Sequence, residues 1–510
     1  MEKLAIIDMG SNSIRFLVLE IADNNSFSFV YQEKETIRLG LGLAKTGKLR
    51  DEGMQKALQC LTMYKHLMSV MNITTCLAVA TAAVRNATNG QAFLEQIYTE
   101  TQIKLDVISG EREAYLGYLG VINTIKERNF LLFDLGGASI ELTLVRDGSP
   151  HQSVSLPIGA VTLMERFQLQ DNITEKALQN CEKYIRKTLS SISWLHKTKL
   201  PLIGIGGTAR TFAKMNQKAT NYDFSKIHNY HLSLDRFLAL YTQVVSKPHS
   251  RRKKIPGLSN DRVDVIVSGA AVLKEVFALA ESEEMIISGC GLREGIFYEY
   301  YTKRCHFPSP QIPNILDFSI TNFIGTLGSV INQVHNQHVT ALSLQLFDQL
   351  QSLHHYGPTE RQLLMTAARL HDIGKVINFY NHARHSAFMI GHAPLYGLTH
   401  REQLIAAFIA GFHHGISRKT WIAYRYANMA SPEDWVMIRK LSTLLAIADA
   451  ADITYEQVIT ECHVTLQDNI VVLVLTSVPG INHDASDSAI HQYIKQFKKE
   501  FNTSLVIVWK

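Results

Sequence analysis

Ile6-Ile7-Asp8-Met9-Gly10-Ser11-Asn12-Ser13-Ile14-Arg15 returns later in the chain as Leu132-Phe133-Asp134-Leu135-Gly136-Gly137-Ala138-Ser139-Ile140-Glu141. Asp, Gly, Ser and Ile recur at the same offsets, so the first half of the chain contains a duplicated unit. In each copy an apolar run with strand character ends on Asp, passes through a Gly/Ser turn and leaves along a second strand, residues 16–20 or 142–145. Glycine lets backbone N–H groups approach a ligand closely, and Ser and Asn add donors, so such a tip is an anion nest. A carboxylate at the strand end can hold Mg²⁺ directly or through water, and the ion in turn holds phosphate. A third turn, Gly204-Ile205-Gly206-Gly207-Thr208-Ala209-Arg210, follows the strand at 202–203. Two facing copies and this third turn predict a site that grips one phosphate group from both sides.

At 510 residues the chain exceeds a single core, and its length suggests three or four domains. The six cysteines (60, 76, 181, 290, 305 and 462) show no CxxC spacing, which argues against a disulfide framework and a zinc knuckle and points to a reducing compartment. The N-terminus shows no basic region followed by a long apolar one, and no apolar run approaches the roughly 18 residues of a membrane span. The expectation is a cytoplasmic protein without a membrane partner. A net charge of +5, spread along the chain, permits a polyanionic substrate without demanding one; nucleic acid is not expected as a partner.

Strand-like and helical runs alternate through the first half, as in α/β proteins. After the first hairpin come a glycine-punctuated loop at 38–49, an amphipathic helix at 51–71, a strand at 76–80, a helix, and a strand at 104–108. The second copy repeats the scheme, with a strand near 154, helices at 175–195 and 263–280, and a strand at 285–287. That strand runs into Ser288-Gly289-Cys290-Gly291-Leu292-Arg293-Glu294-Gly295 and a helix through 301. Pro308, Pro310 and Pro313 break the pattern at 305–314. Beyond them the periodicity is helical to about 452, and the end reads strand 463–466, strand 470–476, helix 489–501, strand 504–509. The expected division is therefore 1–125 and 126–304 as two lobes, 305–314 as linker, 315–460 as a helical domain and 461–510 as a small α+β module.

Phosphoryl transfer needs phosphate clamps, a metal and a group that orients the nucleophile. Arg15 leaves the first hairpin and Arg85 ends Thr81-Ala82-Ala83-Val84-Arg85, and a guanidinium matches phosphate oxygens in a bidentate fork, although either could equally be a surface residue. Glu113 lies in Ser109-Gly110-Glu111-Arg112-Glu113-Ala114 at a strand-to-helix turn, where glutamate is also ordinary helix-dipole complementation.

The ordered series of the Asp8 hairpin, residues 81–85, 108–114, the Asp134 hairpin, Gly206-Gly207-Thr208 and residues 288–295 resembles the exopolyphosphatase and guanosine pentaphosphate phosphohydrolase family over about residues 1–303. The resemblance implies two ribonuclease-H-like lobes of the actin and sugar-kinase superfamily around a cleft. It implies Mg²⁺-dependent release of terminal phosphate from inorganic polyphosphate or from pppGpp. By position, Glu113 becomes the carboxylate that orients or deprotonates water, with Glu111 its near alternative and Arg85 beside it. Asp134 and Glu141 become the metal-linked acids, and Asp8, Gly10, Ser11, Asn12, Ser13, Arg15, Gly136, Gly137, Ser139, Gly206, Gly207 and Thr208 surround the phosphates. The second loop has Ala138 where that family usually has a third glycine, a methyl group expected to be tolerated.

The helical second half has its own pattern. A helix from 361 ends in His371-Asp372-Ile373-Gly374-Lys375, with His338 upstream, His385 and His413-His414 downstream, and Asp449 on a later helix. Imidazole with carboxylate suits Fe, Mn, Zn or Mg. The series resembles the HD phosphohydrolase superfamily, which implies a second divalent metal on His338, His371, Asp372, His385, His414 and Asp449, serving either a hydrolase site or a metal-stabilised regulatory domain. A homodimer through this half is what the resemblance implies.

The run Arg251-Arg252-Lys253-Lys254 reads as a solvated loop that could also attract polyphosphate leaving the cleft. The leading expectation is an exopolyphosphatase. The alternatives are a pppGpp phosphohydrolase on the same site, a kinase of the actin-like superfamily and a nucleotide-sensing protein.

Overall fold

A computed structural model describes residues 1–415 and 426–510, which form two compact units, Met1–Ile315 and Leu316–Lys510. The first unit carries the duplication as two sheets. One is built from β1 (Glu2–Met9), β2 (Ser13–Ile21), β3 (Phe27–Thr36), β4 (Thr75–Ala80) and β5 (Asp106–Val107), in the order β3-β2-β1-β4-β5. The other has β6 (Phe130–Leu135), β7 (Ile140–Arg146), β8 (Ser149–Leu156), β9 (Leu202–Ile205), β10 (Tyr230–Ser233) and β11 (Glu284–Ile287), in the order β10-β11-β9-β6-β7-β8. In both, three antiparallel strands are followed by a parallel neighbour of the first. The hairpin register is the same too: Asp8 pairs with Arg15 across β1 and β2, and Asp134 pairs with Glu141 across β6 and β7.

β1 and β6 are the inner strands, flanked on both edges and covered on both faces, which is why they read as continuous apolar runs rather than alternating ones. Every residue of β1 from Leu4 to Met9 is buried. Helices Asp51–Val70 and Gly90–Thr101 cover the first sheet through Ala57, Leu61, Tyr64, Phe93 and Ile97, and Tyr64 stacks on Phe16 of β2 at 4.6 Å. Helices Glu175–Leu189 and Ile266–Ala280 share the core of the second sheet. The sequence pattern passed over β3 because it is a mostly exposed edge, Gln32-Glu33-Lys34-Glu35 at its centre, with the charges that keep an edge strand from pairing further.

Sequence order does not decide which sheet a helix covers. Helix Gly110–Ile122, which precedes the second copy, packs on β7 and β8, and the Tyr118 hydroxyl donates to the Gly148 carbonyl at 2.6 Å. Helix Leu292–Arg304, at the end of the second copy, returns to the first sheet, where Phe297 meets Phe27 at 4.4 Å and Arg304 Nε meets Glu2 Oε2 at 2.6 Å. The two crossing helices touch backbone to backbone. A Cβ on Gly295 would lie 1.8 Å from the Leu116 carbonyl oxygen, and one on Gly120 would lie 2.2 Å from that of Gly291. Neither obstacle is a movable side chain. Gly295→Ala is therefore expected to cost about 1–3 kcal/mol of overpacking strain, read as a lower urea midpoint with unchanged m-value.

The second unit packs helices Gln333–Gln349, Pro358–Leu370, His382–His392, His400–Gly411 and Pro432–Ala451. Its sheet orders β12 (Ile459–Gln467), β13 (Ile470–Ser477) and β14 (Ser504–Trp509), antiparallel then parallel. This sheet is tied to the helices rather than separate from them. The Gln349 amide donates to the Cys462 carbonyl at 3.0 Å and its oxygen accepts from Val464 N–H at 2.8 Å, while Arg439 Nε meets Glu500 Oε2 at 3.0 Å. Among the described residues no helix is long and apolar enough to cross a membrane.

Candidate active site

The two hairpin tips of the first unit have the same closure: Gly10 N–H donates to the Ser13 carbonyl at 3.1 Å, and Gly136 N–H to the Ser139 carbonyl at 2.9 Å. They also meet each other, since a Cβ on Gly137 would stand 3.1 Å from that of Ser11 and 3.6 Å from that of Asn12. Glycine at 137 is what lets the loops approach. Each tip is braced from outside, the first by Arg38 N–H on the Asn12 carbonyl at 3.0 Å and the second by Val161 N–H on the Gly137 carbonyl at 2.8 Å. Ala138 does not have a positive φ, so its backbone does not call for glycine. The third turn does need glycine: Gly206 has φ 94°, and a Cβ there would lie 2.8 Å from the Leu135 carbonyl oxygen.

One cleft gathers Asp8, Gly10, Ser11, Asn12, Ser13, Arg15, Glu113, Asp134, Gly136, Gly137, Ser139, Gly206 and Gly207 from the expected set. Three expected residues lie off its wall. Thr208 is buried against the helix Ile266–Ala280, where a Cβ on Gly269 would meet its Oγ1 at 2.6 Å, so a residue one step into the helix turns away from the turn's open side. Glu141 sits behind the wall, accepting from Ser155 Oγ at 2.7 Å. Arg85 stands beside Glu113, Nη1 to Oε2 3.5 Å, and also donates to the Ile108 carbonyl at 2.5 Å. Glu111 is exposed and outside the cleft, which leaves Glu113 as the carboxylate that faces it.

Sequence reasoning missed three arginines that line the cleft, Arg210, Arg262 and Arg293. Arg210 and Arg293 stand inside segments already quoted for their glycines, so proximity to those turns was the available signal. Arg262 had none, because the fold delivers it: its guanidinium carbon lies 2.2 Å from where a Cβ on Gly207 would be. The loop that carries it is pinned by Arg252. That side chain is fully buried and donates to the carbonyls of Lys247 at 3.1 Å, Val263 at 3.0 Å and Gln170 at 2.9 Å. The basic run is thus not uniformly solvated; only Arg251, Lys253 and Lys254 are exposed.

Charge is concentrated in this cleft. Burial pushes Asp134 up to about 6 although Arg15 and Arg210 oppose it, and burial together with Asp134 pushes Glu141 up to about 7. Glu113 is raised well above the usual carboxylate range by burial and then by Glu141 and Asp134, with Arg85 pulling the other way. Asp8 is raised by burial, against Arg15 and Arg293, and burial with Arg15 lowers Arg210 to about 10. Carboxylate oxygens suit Mg²⁺, and Asp134 and Glu141, paired across the hairpin, could hold it, Asp134 from the cleft wall and Glu141 from behind it.

In the second unit His371, Asp372, His414 and Asp449 gather as expected, but His338 and His385 do not join them. Each lies three residues, about 4.5 Å of helix rise, beyond the histidine that does join, His335 and His382 respectively. The buried His413 completes the group.

Residues 17–304 match the Ppx/GppA phosphatase family, and residues 326–477 match domain III of that family's phosphatases. The chain belongs to the Ppx/GppA phosphatase family. It is 32% identical over 299 residues to a bifunctional 3-dehydroquinate synthase/phosphatase of Fusobacterium nucleatum, a match that covers 56% of this chain and 44% of that one, so the chain spans under half the length of that relative. It is 27% identical over 499 residues to a guanosine-5'-triphosphate,3'-diphosphate pyrophosphatase of Pseudoalteromonas translucida, covering 97% and 96% of the two chains. Among solved structures, an exopolyphosphatase from Cytophaga hutchinsonii superposes with TM-score 0.54 at 27% identity, over 59% of this chain and 98% of that one. The Aquifex aeolicus Ppx/GppA family member does so with TM-score 0.52 at 29% identity, over 59% and 98%. Ppx/GppA phosphatases are hydrolases, and both halves of this family member correspond to family domains.

Asp134 and Glu141 hold their protons more tightly folded than unfolded, about 6 and 7 against ordinary values of 3.8 and 4.5. The folded state then binds more protons than the unfolded one between about pH 4 and 7, so these groups' contribution to stability falls as pH rises through that window. In chelator, the first unit's thermal transition is expected to drop toward pH 8, and Mg²⁺ should raise it more at about pH 8 than at about pH 5. Differential scanning calorimetry checks this, and an Mg²⁺ increment that is the same at both pH values, or unchanged in Asp134→Asn, would remove the cation from these residues.

Proposed function

We propose that the cleft hydrolyses the terminal phosphoanhydride bond of inorganic polyphosphate with Mg²⁺, making this Ppx/GppA family member an exopolyphosphatase. The observation that carries the reading is a cleft that sets four arginines, Arg15, Arg210, Arg262 and Arg293, in one lining with the carboxylate of Glu113. The lining joins guanidinium, carboxylate, hydroxyl, glycine and aliphatic groups, and among the described residues it includes no aromatic ring on which guanine would stack. Both features suit a ligand that is all phosphate.

The terminal phosphate lies between the tips at Ser11–Ser13 and Gly136–Ser139, its oxygens on backbone N–H and hydroxyl groups. Glu113, held by Arg85, takes a proton from the attacking water, the new P–O bond forms as the bridging P–O bond breaks, and the shortened chain leaves as an anion. The arginines bind the oxygens on which that charge grows. Mg²⁺ on Asp134 and Glu141 would neutralise phosphate charge.

A second reading, pppGpp 5'-phosphohydrolysis at the same site, is favoured by the full-length match to a protein named for that substrate. Phosphate release with Mg²⁺, measured side by side on long-chain polyphosphate and pppGpp, separates them: the higher kcat/KM identifies the substrate, and activity on neither rejects both. Glu113→Gln is expected to lower kcat by about 10²–10⁴-fold with binding nearly intact, and full activity in that variant would sink the assignment. Arg210→Met removes a charged hydrogen bond of about 1.5–3 kcal/mol, so kcat/KM should fall about 10- to 100-fold and its salt dependence should weaken.

A further inference from the structure

We infer that the second unit holds a pair of divalent transition-metal ions bridged by Asp372 and Asp449, a centre independent of the cleft reading. Three overlapping groups of potential ligands run together: His335 with His371 and Asp372, His371 with His413 and Asp449, and His382 with His413 and His414, the atoms of each group within 4.8 Å of one another.

The outer nitrogens show which way the rings face. The Nδ1–H groups of His371 and His382 donate to the carbonyls of Ala368 at 2.7 Å and Phe379 at 2.9 Å, and that of His413 donates to Ala410. Nδ1 of His335 is held by the Asp452 carboxylate at 2.8 Å. A carbonyl oxygen can only accept, so three rings have the proton on the outside and an Nε2 lone pair turned inward. This is the outer-shell arrangement that orients imidazoles on metals. The inward atoms have no hydrogen-bond partner of their own: His371 Nε2, His413 Nε2 and Asp372 Oδ1 are buried and unsatisfied, on residues exposed by 0%, 0% and 4%.

Acceptors therefore face acceptors. His382 Nε2 lies 3.1 Å from Asp372 Oδ1, and His371 Nε2 lies 3.3 Å from Asp449 Oδ1; His414 Nε2 stands 3.2 Å from His382 Nε2. Two ligand atoms each about 2.1 Å from one ion stand about 3.0–3.4 Å apart, which is the spacing seen. Each carboxylate also divides its oxygens. Asp449 turns Oδ1 to His335 at 3.2 Å and Oδ2 to His414 at 3.8 Å, while Asp372 turns Oδ2 to His335 at 3.6 Å and Oδ1 to His382. One ion would sit on the His335–His371 side and the other on the His382–His413–His414 side. Mixed imidazole and carboxylate donors suit Mn²⁺, Fe²⁺, Co²⁺ or Zn²⁺ rather than Ca²⁺. Lys375 Nζ donates to Asp372 Oδ2 and to the Tyr455 hydroxyl at the edge of the centre.

The full chain, stripped with chelator, loaded with Co²⁺ and desalted, is measured for bound metal in an Asp134→Asn, Glu141→Gln background that disables the cleft acids. About two equivalents are expected, with visible d–d absorption, falling to about one in His413→Ala/His414→Ala and to none in Asp372→Ala. Circular dichroism and cooperative thermal unfolding check that each variant is folded. A measurement that needs no variant in the second unit is electron paramagnetic resonance of the Mn²⁺-loaded chain, which should show exchange-coupled pairs. One equivalent, or the six-line spectrum of isolated Mn²⁺, overturns the pair. No retained metal overturns the centre and leaves a cluster held by shared protons.

Discussion

The fold of the first unit depends on how closely its two glycine hairpins approach. Gly137 bears on that distance, because a Cβ there would press on that of Ser11 at 3.1 Å while only touching that of Asn12 at 3.6 Å. The loops can face each other only if the two sheets are held at one spacing. The exchanged helices do that: each copy contributes a helix that packs on the other's sheet, and the pair cross with backbone against backbone at Gly295 and Gly120. The same constraint thus runs from two glycines in a helix crossing to the position of two phosphate-binding tips.

Holding the tips close also brings their carboxylates close. Asp8, Glu113, Asp134 and Glu141 share one buried region, and each is raised above its ordinary value because burial and neighbouring anions disfavour its charge. Arginines stand among these acids: Arg15 Nη1 lies 3.9 Å from Asp8 Oδ2, and Arg85 Nη1 lies 3.5 Å from Glu113 Oε2. A polyanion alone would meet those acids as repulsion, and a divalent cation alone would leave the arginines unneutralised. Cation and polyanion together satisfy both kinds of side chain, which links the proposed substrate to the proposed metal.

The duplication was legible because chemistry fixed it locally. Strand-end Asp, turn glycines and the returning strand are contiguous in sequence, and their register repeats residue for residue. Edge strand β3 was not legible, since its exposed residues carry no apolar period, while β10 does alternate buried Tyr230 and Leu232 with exposed neighbours but runs for only four residues. Arg262 escaped for another reason: it reaches the cleft through a loop anchored by Arg252, and the four residues of that basic run look alike until one is buried under carbonyls. Thr208 was read from its place in a turn, but it is the second residue of a helix, and helical geometry turned it away from the turn it follows. In the second unit the pattern located the right helices and erred by one turn on two of them, because several histidines stand on each and only packing selects the one that points inward.

The two halves answer the same electrostatic problem with different ligand chemistry. In the cleft the donors are carboxylate oxygens with arginines beside them, an arrangement suited to a hard ion that arrives with its phosphate. In the helical unit the donors are mostly imidazoles whose outer protons are already committed to carbonyls, set in a core where His335, His371 and His413 are fully buried. Burying that many polar rings with their lone pairs turned toward each other is unfavourable unless something positive is shared among them. The pinning of the outer nitrogens of His335, His371, His382 and His413 removes the simplest escape, which would be to turn the rings and pair them as ordinary donors. What distinguishes the two sites is therefore preorganisation: the cleft acids wait for a ligand from outside, whereas the histidines are already fixed in the orientation a bound ion requires.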